Sequence, residues 1–171
     1  PRKFDKESSR EKYGIEKNKK VVMFFGTPRP YKGIEDLIKA ISLIRDRNVL
    51  LNLVGNGKDS YSQNLEKIGK QTLGNRFRPF DPQPFEKVPE LLAMADVIAI
   101  PQRKNFATVG QVPAKVLDAM AMAKPIIATR VSDLPEILDG CGWIVEPENP
   151  EQLAKTIQYV LSAPEEAEKT G

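Results

Sequence analysis

The residues most able to do chemistry are cations and a carboxylate set beside glycine-rich turns. The stretch GTPRPYKG, residues 26–33, follows five apolar residues, Val21 to Phe25, and precedes an amphipathic segment. A strand, a glycine-containing loop and a helix start in that order make a ready anion site, because the first amides of a helix point at whatever lies before it. Lys32 and Arg29 lie in this loop, as anion ligands or as solvated charges. A second loop, Gly55-Asn56-Gly57, tolerates positive φ and close backbone approach to a ligand, and reads equally as an ordinary turn. Asp118 and Lys115, three residues apart in a helical segment, share a face. They either pair with each other or leave Lys115 to reach a phosphate or a sugar. The sequence holds no histidine, so no histidine-based acid–base pair or metal site exists in it. Cys141 has no activating neighbour in sequence and reads as structural. Internal repeats, a Walker A motif and a Cys-x-x-Cys pair are all absent.

The elements that must position these residues alternate regularly. Buried-strand signals fall at Val21–Phe25, Val49–Val54, Arg76–Phe80, Val97–Ile100, Ile126–Ala128 and Gly142–Val145. Between and after them the apolar spacing predicts helices at Ile34–Ile44, Tyr61–Leu73, Lys87–Ala95, Pro113–Ala123 and Pro150–Leu161, with a short one opening at Pro135-Glu136. In the Pro113–Ala123 helix the expected apolar face is Val116, Leu117, Met120 and Ala121. Strands alternating with helices imply an α/β, Rossmann-like parallel sheet of about six strands with helices on both faces. Such sheets bind ligands at the carboxyl ends of their strands. The central stretch Gln111–Glu136 runs helix, buried strand, polar loop, and so builds one wall of that crevice.

Length and composition set the outer limits. The 171 residues suffice for one domain with a sizeable core, 40% hydrophobic and 29% charged. Residues 1–20 carry eight Lys/Arg against four Asp/Glu and read as a linker or N-terminal extension, solvated, with a short helix around Ser8–Tyr13. Residues 21–163 form the domain, and 164–171 a frayed tail. Because the net charge of +3 is concentrated at the N-terminus, the folded body is near neutral and no nucleic-acid footprint is expected. One cysteine suits a cytoplasmic setting. No apolar run approaches the roughly 18–20 residues of a membrane span, and the charged N-terminus is no signal peptide.

The segment AKVLDAMAMAKPIIATRVSDLPEIL resembles the nucleotide-sugar site of the group 1 retaining glycosyltransferases of GT-B architecture, with an acidic residue, a small-Met-Ala run, Pro plus an apolar strand, and a loop ending in Pro-Glu. PELLAMADVIAIP is similar to the same family, and the likeness runs from roughly Val21 to Leu161 in the element order of a C-terminal GT-B domain. It implies a chain that binds a nucleoside diphosphate sugar for transfer to a glycan acceptor, such as a cell-surface polysaccharide or lipopolysaccharide. Asp118 would then accept from the ribose hydroxyls. Gly26, Lys32 and Gly33 match a Gly-Arg-x-x-x-x-Lys-Gly element whose Arg and Lys contact the diphosphate. The arginine position is Thr27, with Arg29 a weaker substitute, so Lys32 and Arg29 are the expected catalytic cations. Gly55 approaches the donor, and Phe80 either flanks the base through the loop that follows it or simply packs. Ser132 and Asp133 lie near sugar or phosphates. Glu136 either joins them or favours its helix dipole. The family's first glutamate, eight residues before Asp118, falls on Gly110, and no carboxylate lies between Asp96 and Asp118, leaving Gln111, Lys115 and Thr108 as polar substitutes. With no Asp-rich metal site, leaving-group stabilisation without a divalent metal is expected, as the resemblance also implies. The acceptor site, and any membrane association, belong to an absent N-terminal GT-B domain, and the fragment alone would turn nothing over. Two rivals remain: a non-catalytic GT-B-like interaction or regulatory domain with a degenerate donor site, and a sugar-nucleotide epimerase, whose extra acid–base residues are not found.

Overall fold

A computed structural model describes residues 4–171. Six parallel strands, β1 (Lys20–Phe25), β2 (Val49–Val54), β3 (Phe77–Phe80), β4 (Val97–Ile100), β5 (Ile126–Thr129) and β6 (Trp143–Val145), form one sheet in the order β3-β2-β1-β4-β5-β6. The order reverses between β1 and β4, the kind of switch point at whose carboxyl side open α/β sheets bind ligands. The expected α/β, Rossmann-like sheet is therefore present.

The strands are apolar throughout because helices cover both faces. Alternation along β1 sends Val22 and Phe24 to one core, with Ile34, Leu37 and Ile41 of α2 (Ile34–Leu43) and with Leu65 and Ile157. It sends Val21, Met23 and Phe25 to the other, with Leu91, Val116 and Leu134. The first layer holds α2, α3 (Ser60–Leu73) and α7 (Pro150–Ser162), and the second holds α4 (Val88–Ala93), α5 (Lys115–Ala121) and α6 (Leu134–Ile137). Helix starts follow local chemistry: Asp59 accepts the Ser62 amide at 3.1 Å ahead of α3, and Asn149 accepts that of Gln152 at 3.0 Å ahead of α7.

Two segments expected to be loose are packed instead. Helix α1 (Lys6–Lys12) docks under the sheet through Arg10, whose guanidinium donates to the Met94 carbonyl at 2.9 and 3.0 Å and pairs with Asp96 at 2.6 Å. Ile15 is buried with it. The solvated character given to residues 1–20 therefore fails at Ser9, Arg10 and Ile15, because the Arg10 side chain finds Met94 and Asp96 more than eighty residues away. Residues 164–171 are likewise no frayed tail: α8 (Pro164–Thr170) follows α7 directly and buries Ala167. The helix expected at Pro113–Ala123 is shorter, α5 alone, and turns a different face inward. Val116 and Ala119 are buried, whereas Leu117 is 58% exposed.

Candidate functional site

The carboxyl ends of β1 and β2 are drawn together by two glycines. The Gly26 amide donates to the Val54 carbonyl at 2.9 Å, and a Cβ on Gly55 would stand 3.0 Å from the Gly26 backbone. Both have φ near +100°, where a side chain is strained, so only glycine lets these loops abut. The Gly55 and Asn56 amides both donate to the Phe80 carbonyl, at 3.0 and 2.9 Å, which ties in β3. Beside them lies a cavity of about 150 Å³ walled by Phe25, Val54 and Leu91, with Thr27, Gly55 and Gln83 also lining it. That is well below the roughly 300–1,000 Å³ of a whole small-ligand site, so it suits one flat part of a ligand. Gln83, which the sequence did not single out, brings an amide side chain to it.

From Gly26 the chain turns through a 3₁₀ segment, Pro30–Lys32, into α2. At the junction Gly33 has φ +65°, and any Cβ there would collide with the Pro101 carbonyl at the end of β4. Lys32 is folded back on its loop, donating from Nζ to the Thr27 carbonyl at 2.6 Å, and its pKa is lowered by burial and then by Arg29. Arg29 is exposed and donates to the Pro28 carbonyl at 2.8 Å. Thr27 is exposed.

The loop after β4 is braced against α2. Arg103 grips Asp36 with two bonds, 2.7 and 2.9 Å, and its amide donates to the Tyr31 carbonyl at 2.9 Å. The Asp36 bond holds the guanidinium pKa above its ordinary value. Nothing local marks Arg103 in the sequence, since its partner lies 67 residues away. Thr108, a suggested polar substitute, is buried and donates to the Arg103 carbonyl at 2.7 Å, so it serves its own loop. Gln111 is exposed, and Gly110 is exposed with φ +76° and nothing near its Cβ position.

At the start of α5, Lys115 reaches across to β1. Its Nζ stands 4.0 Å from the Phe24 ring centroid and 5.9 Å from that of Phe25, and 3.2 Å from where a Gly26 Cβ would be. Among the described residues no carboxylate or carbonyl pairs with it. Burial pushes its pKa down to about 7, with the Lys32 charge adding to the effect. The alternative in which Lys115 pairs with Asp118 is not what the fold builds. Asp118 is half-buried on the same helix and forms no ion pair among the described residues.

The remaining expected residues divide. Ser132 follows β5 with φ +51°, and its Oγ is buried without a protein partner among the described residues, a strained and unsatisfied group of the kind functional loops hold. Asp133 and Glu136 are exposed, the latter in the first turn of the four-residue α6. Phe80 packs edge-on against Tyr13, centroids 5.9 Å apart, so of its two readings the packing one describes its ring. Among the described residues no three Cys, Asp or Glu side chains gather as a metal site, and no helix is long and apolar enough to cross a membrane.

A family model described as glycosyl transferases group 1 matches residues 19–163. The chain is 30% identical over 168 residues to a D-inositol 3-phosphate glycosyltransferase of Corynebacterium glutamicum (strain R), covering 91% of this chain and 38% of that protein. To the putative colanic acid biosynthesis glycosyl transferase WcaI of Escherichia coli (strain K12) it is 27% identical over 165 residues, covering 94% and 40%. It thus spans about two fifths of the length of these relatives. Among solved structures, sucrose-phosphate synthase from Thermosynechococcus elongatus superposes with a TM-score of 0.85 at 24% identity, over 98% of this chain and 42% of that one. Anabaena HepE in complex with UDP and glucose superposes with a TM-score of 0.83 at 22% identity, over 95% and 44%. These two likenesses bear on the fold.

Proposed function

The chain belongs to the group 1 glycosyl transferases, with the fold of a C-terminal GT-B half, and from that premise we propose that it binds the donor of a sugar transfer, a nucleoside diphosphate sugar, in the crevice at the carboxyl ends of its strands. The observation that carries the reading is the meeting of Lys32 and Lys115 at the Gly26 loop. Each depresses toward the uncharged form, Lys115 partly through Lys32, with no acid paired to either among the described residues. Two uncompensated cations beside a glycine turn at a topological switch point call for a polyanion, and a diphosphate supplies the charge.

In this reading the base enters the cavity beside Gly55 and Gln83, and the Asp118 carboxylate accepts from the ribose diol. Lys32 and the amides of the 26–33 loop hold the diphosphate, with Arg29 swinging in from solvent. As the glycosidic bond breaks, negative charge grows on the leaving diphosphate, and cations already in place stabilise it more than the ground state. In this reading leaving-group charge falls to these cations. Ser132, its hydroxyl unpaired, faces the sugar or phosphates. The acceptor sits on a second domain outside these residues, anomeric configuration is retained as the family resemblance implies, and the present chain binds donor without turning over.

One observation favours a second reading, a donor site kept for interaction or regulation only. Gly110 stands where the resemblance requires a carboxylate, and it projects into open space. Thermal melting against UDP, GDP, ADP and their sugar conjugates separates the two. A nucleotide at about 100 times its Kd stabilises by about 2.7 kcal/mol, which for a domain of this size raises Tm by about 5–10 °C. A shift with one base that disappears in Asp118→Ala supports the donor reading and identifies the base. No shift with any nucleotide at millimolar concentration overturns it.

A further inference from the structure

We propose that Lys115 supplies from α5 the second diphosphate cation that the β1 loop lacks at Thr27, and that it takes up a proton from solvent as the donor binds. The inference rests on the donor reading above and concerns how its anion site is completed. Position 27 directly follows Gly26, and Lys115 brings its Nζ against that same glycine from the other side of the switch point, 3.2 Å from the Cβ position. The one site is thus reached from two elements. Thr27 leaves that position uncharged, Arg29 two residues on is exposed, and the lysine arriving from the helix fills the gap.

The surroundings explain why this cation waits uncharged. Facing it are the Phe24 and Phe25 rings from β1, the Gly26 backbone, and from the following loop the cation Lys32, itself next to Arg29. Asp118 shares its helix without pairing to it. Aromatic faces give an ammonium partial compensation, far less than the lost hydration. Around neutral pH a fraction of the molecules therefore carries a neutral amine, its lone pair free. A diphosphate arriving between Lys115 and Lys32 reverses the balance, since its charge favours the ammonium and offsets the repulsion of Lys32. The proton comes from bulk water or buffer and goes to Nζ, and no covalent bond to the ligand forms. A nucleoside diphosphate sugar has no phosphate ionisation near neutrality, because both phosphates are esterified, so any proton taken up belongs to the protein.

The test is calorimetry of UDP-glucose and GDP-mannose binding near pH 7.5, in HEPES and in Tris, whose ionisation heats differ. The wild-type chain should take up between about one half and one proton per donor bound, given the pKa of about 7. Lys115→Met should lose that uptake and bind roughly ten- to a hundredfold more weakly, the loss of one charge-assisted contact. Lys115→Arg, permanently charged, should bind without uptake. Adding Thr27→Arg to Lys115→Met should restore affinity, since the two positions feed one site. Binding with no buffer dependence, or Lys115→Met binding as wild type does, overturns the inference and leaves the donor reading standing. If neither sugar nucleotide nor any free nucleotide binds, the donor reading itself falls. A ligand-free readout keeps the two apart: the Lys115 ¹³Cε resonance should titrate near neutrality, and a midpoint near that of an ordinary lysine refutes the inference even where donor binds.

Discussion

Replacing Lys115 by methionine should make the domain more stable, by an amount that depends on pH in a calculable way. Methionine keeps an unbranched apolar stem as far as Cε and removes the ionisable Nζ that lies over Phe24 and Phe25. An unfolded lysine titrates near 10.4, and the folded one near 7. The unfolded chain therefore binds more protons throughout that interval, and stability rises with pH across it. Relative to an amine that never titrates, the folded state loses about 4 kcal/mol at pH 7 and about 2 kcal/mol at pH 9. The absolute gain in Lys115→Met mixes this with any change in packing. The difference between the two pH values does not, because packing of a thioether is indifferent to pH. Lys124, also pushed down, to about 8, titrates in both proteins and cancels. The expectation is thus a margin over wild type that shrinks by about 2 kcal/mol from pH 7 to pH 9. Urea unfolding at both pH values, with equal m-values, reads it directly. A margin that does not change with pH refutes the reasoning, for it means Lys115 finds solvent or a partner in the folded state.

Gly33→Ala should destabilise by about 3 kcal/mol in the same assay, because the methyl group meets the Pro101 carbonyl at a backbone angle only glycine adopts freely. Arg10→Met should lower stability by about 3 kcal/mol by leaving Asp96 partly buried with its main guanidinium partner gone. Burial raises the Asp96 pKa, but Lys6, the Val21 amide and Arg10 outweigh it and hold it below 3.8. This carboxylate thus stabilises the fold above about pH 4, and that stability is lost as pH falls further. An acid-unfolding midpoint that stays put in Arg10→Met would contradict this account. Asn52, fully buried in β2 with neither amide atom partnered among the described residues, should be replaceable by leucine with a gain of about 1 kcal/mol, a rise of roughly 2–4 °C in Tm.

The strand and helix pattern was legible because burial on both faces leaves continuous apolar runs, and the two ends of Val49–Val54 and Val97–Ile100 fall where the composition changes. The glycine turn between β1 and α2 was legible too, since glycines at 26 and 33 have local conformational reasons to be there. What escaped the sequence depends on pairing across long separations. Arg10 reads as a solvated charge until Met94 and Asp96 are brought beneath it, and Arg103 is one more loop cation until Asp36 meets it. The inward face of α5 was misjudged for a related reason: Leu117 and Val116 are equally apolar, and only the packing of the helix on the sheet decides which is buried. The same packing brings Lys115 to Gly26 with no ion pair to Asp118.

The distribution of compensated charge separates partnered cations from an unpartnered one in this chain. At the amino edge of the sheet Arg10 pairs with Asp96, and Lys124, though its pKa is depressed by burial, donates to the Ala93 and Ala95 carbonyls at 3.0 and 3.1 Å. Arg103 is gripped by Asp36. Each of these cations has acceptors supplied by the fold itself. Lys115 alone among these four cations is held against aromatic rings and a second lysine, with no acceptor among the described residues. An arrangement that lowers stability at neutral pH makes physical sense where the missing partner arrives from outside, because a preformed site that is strained when empty binds its ligand with the strain released. The carboxyl edge of β1 is where the chain carries that strain, and in the proposed reading an anion relieves it.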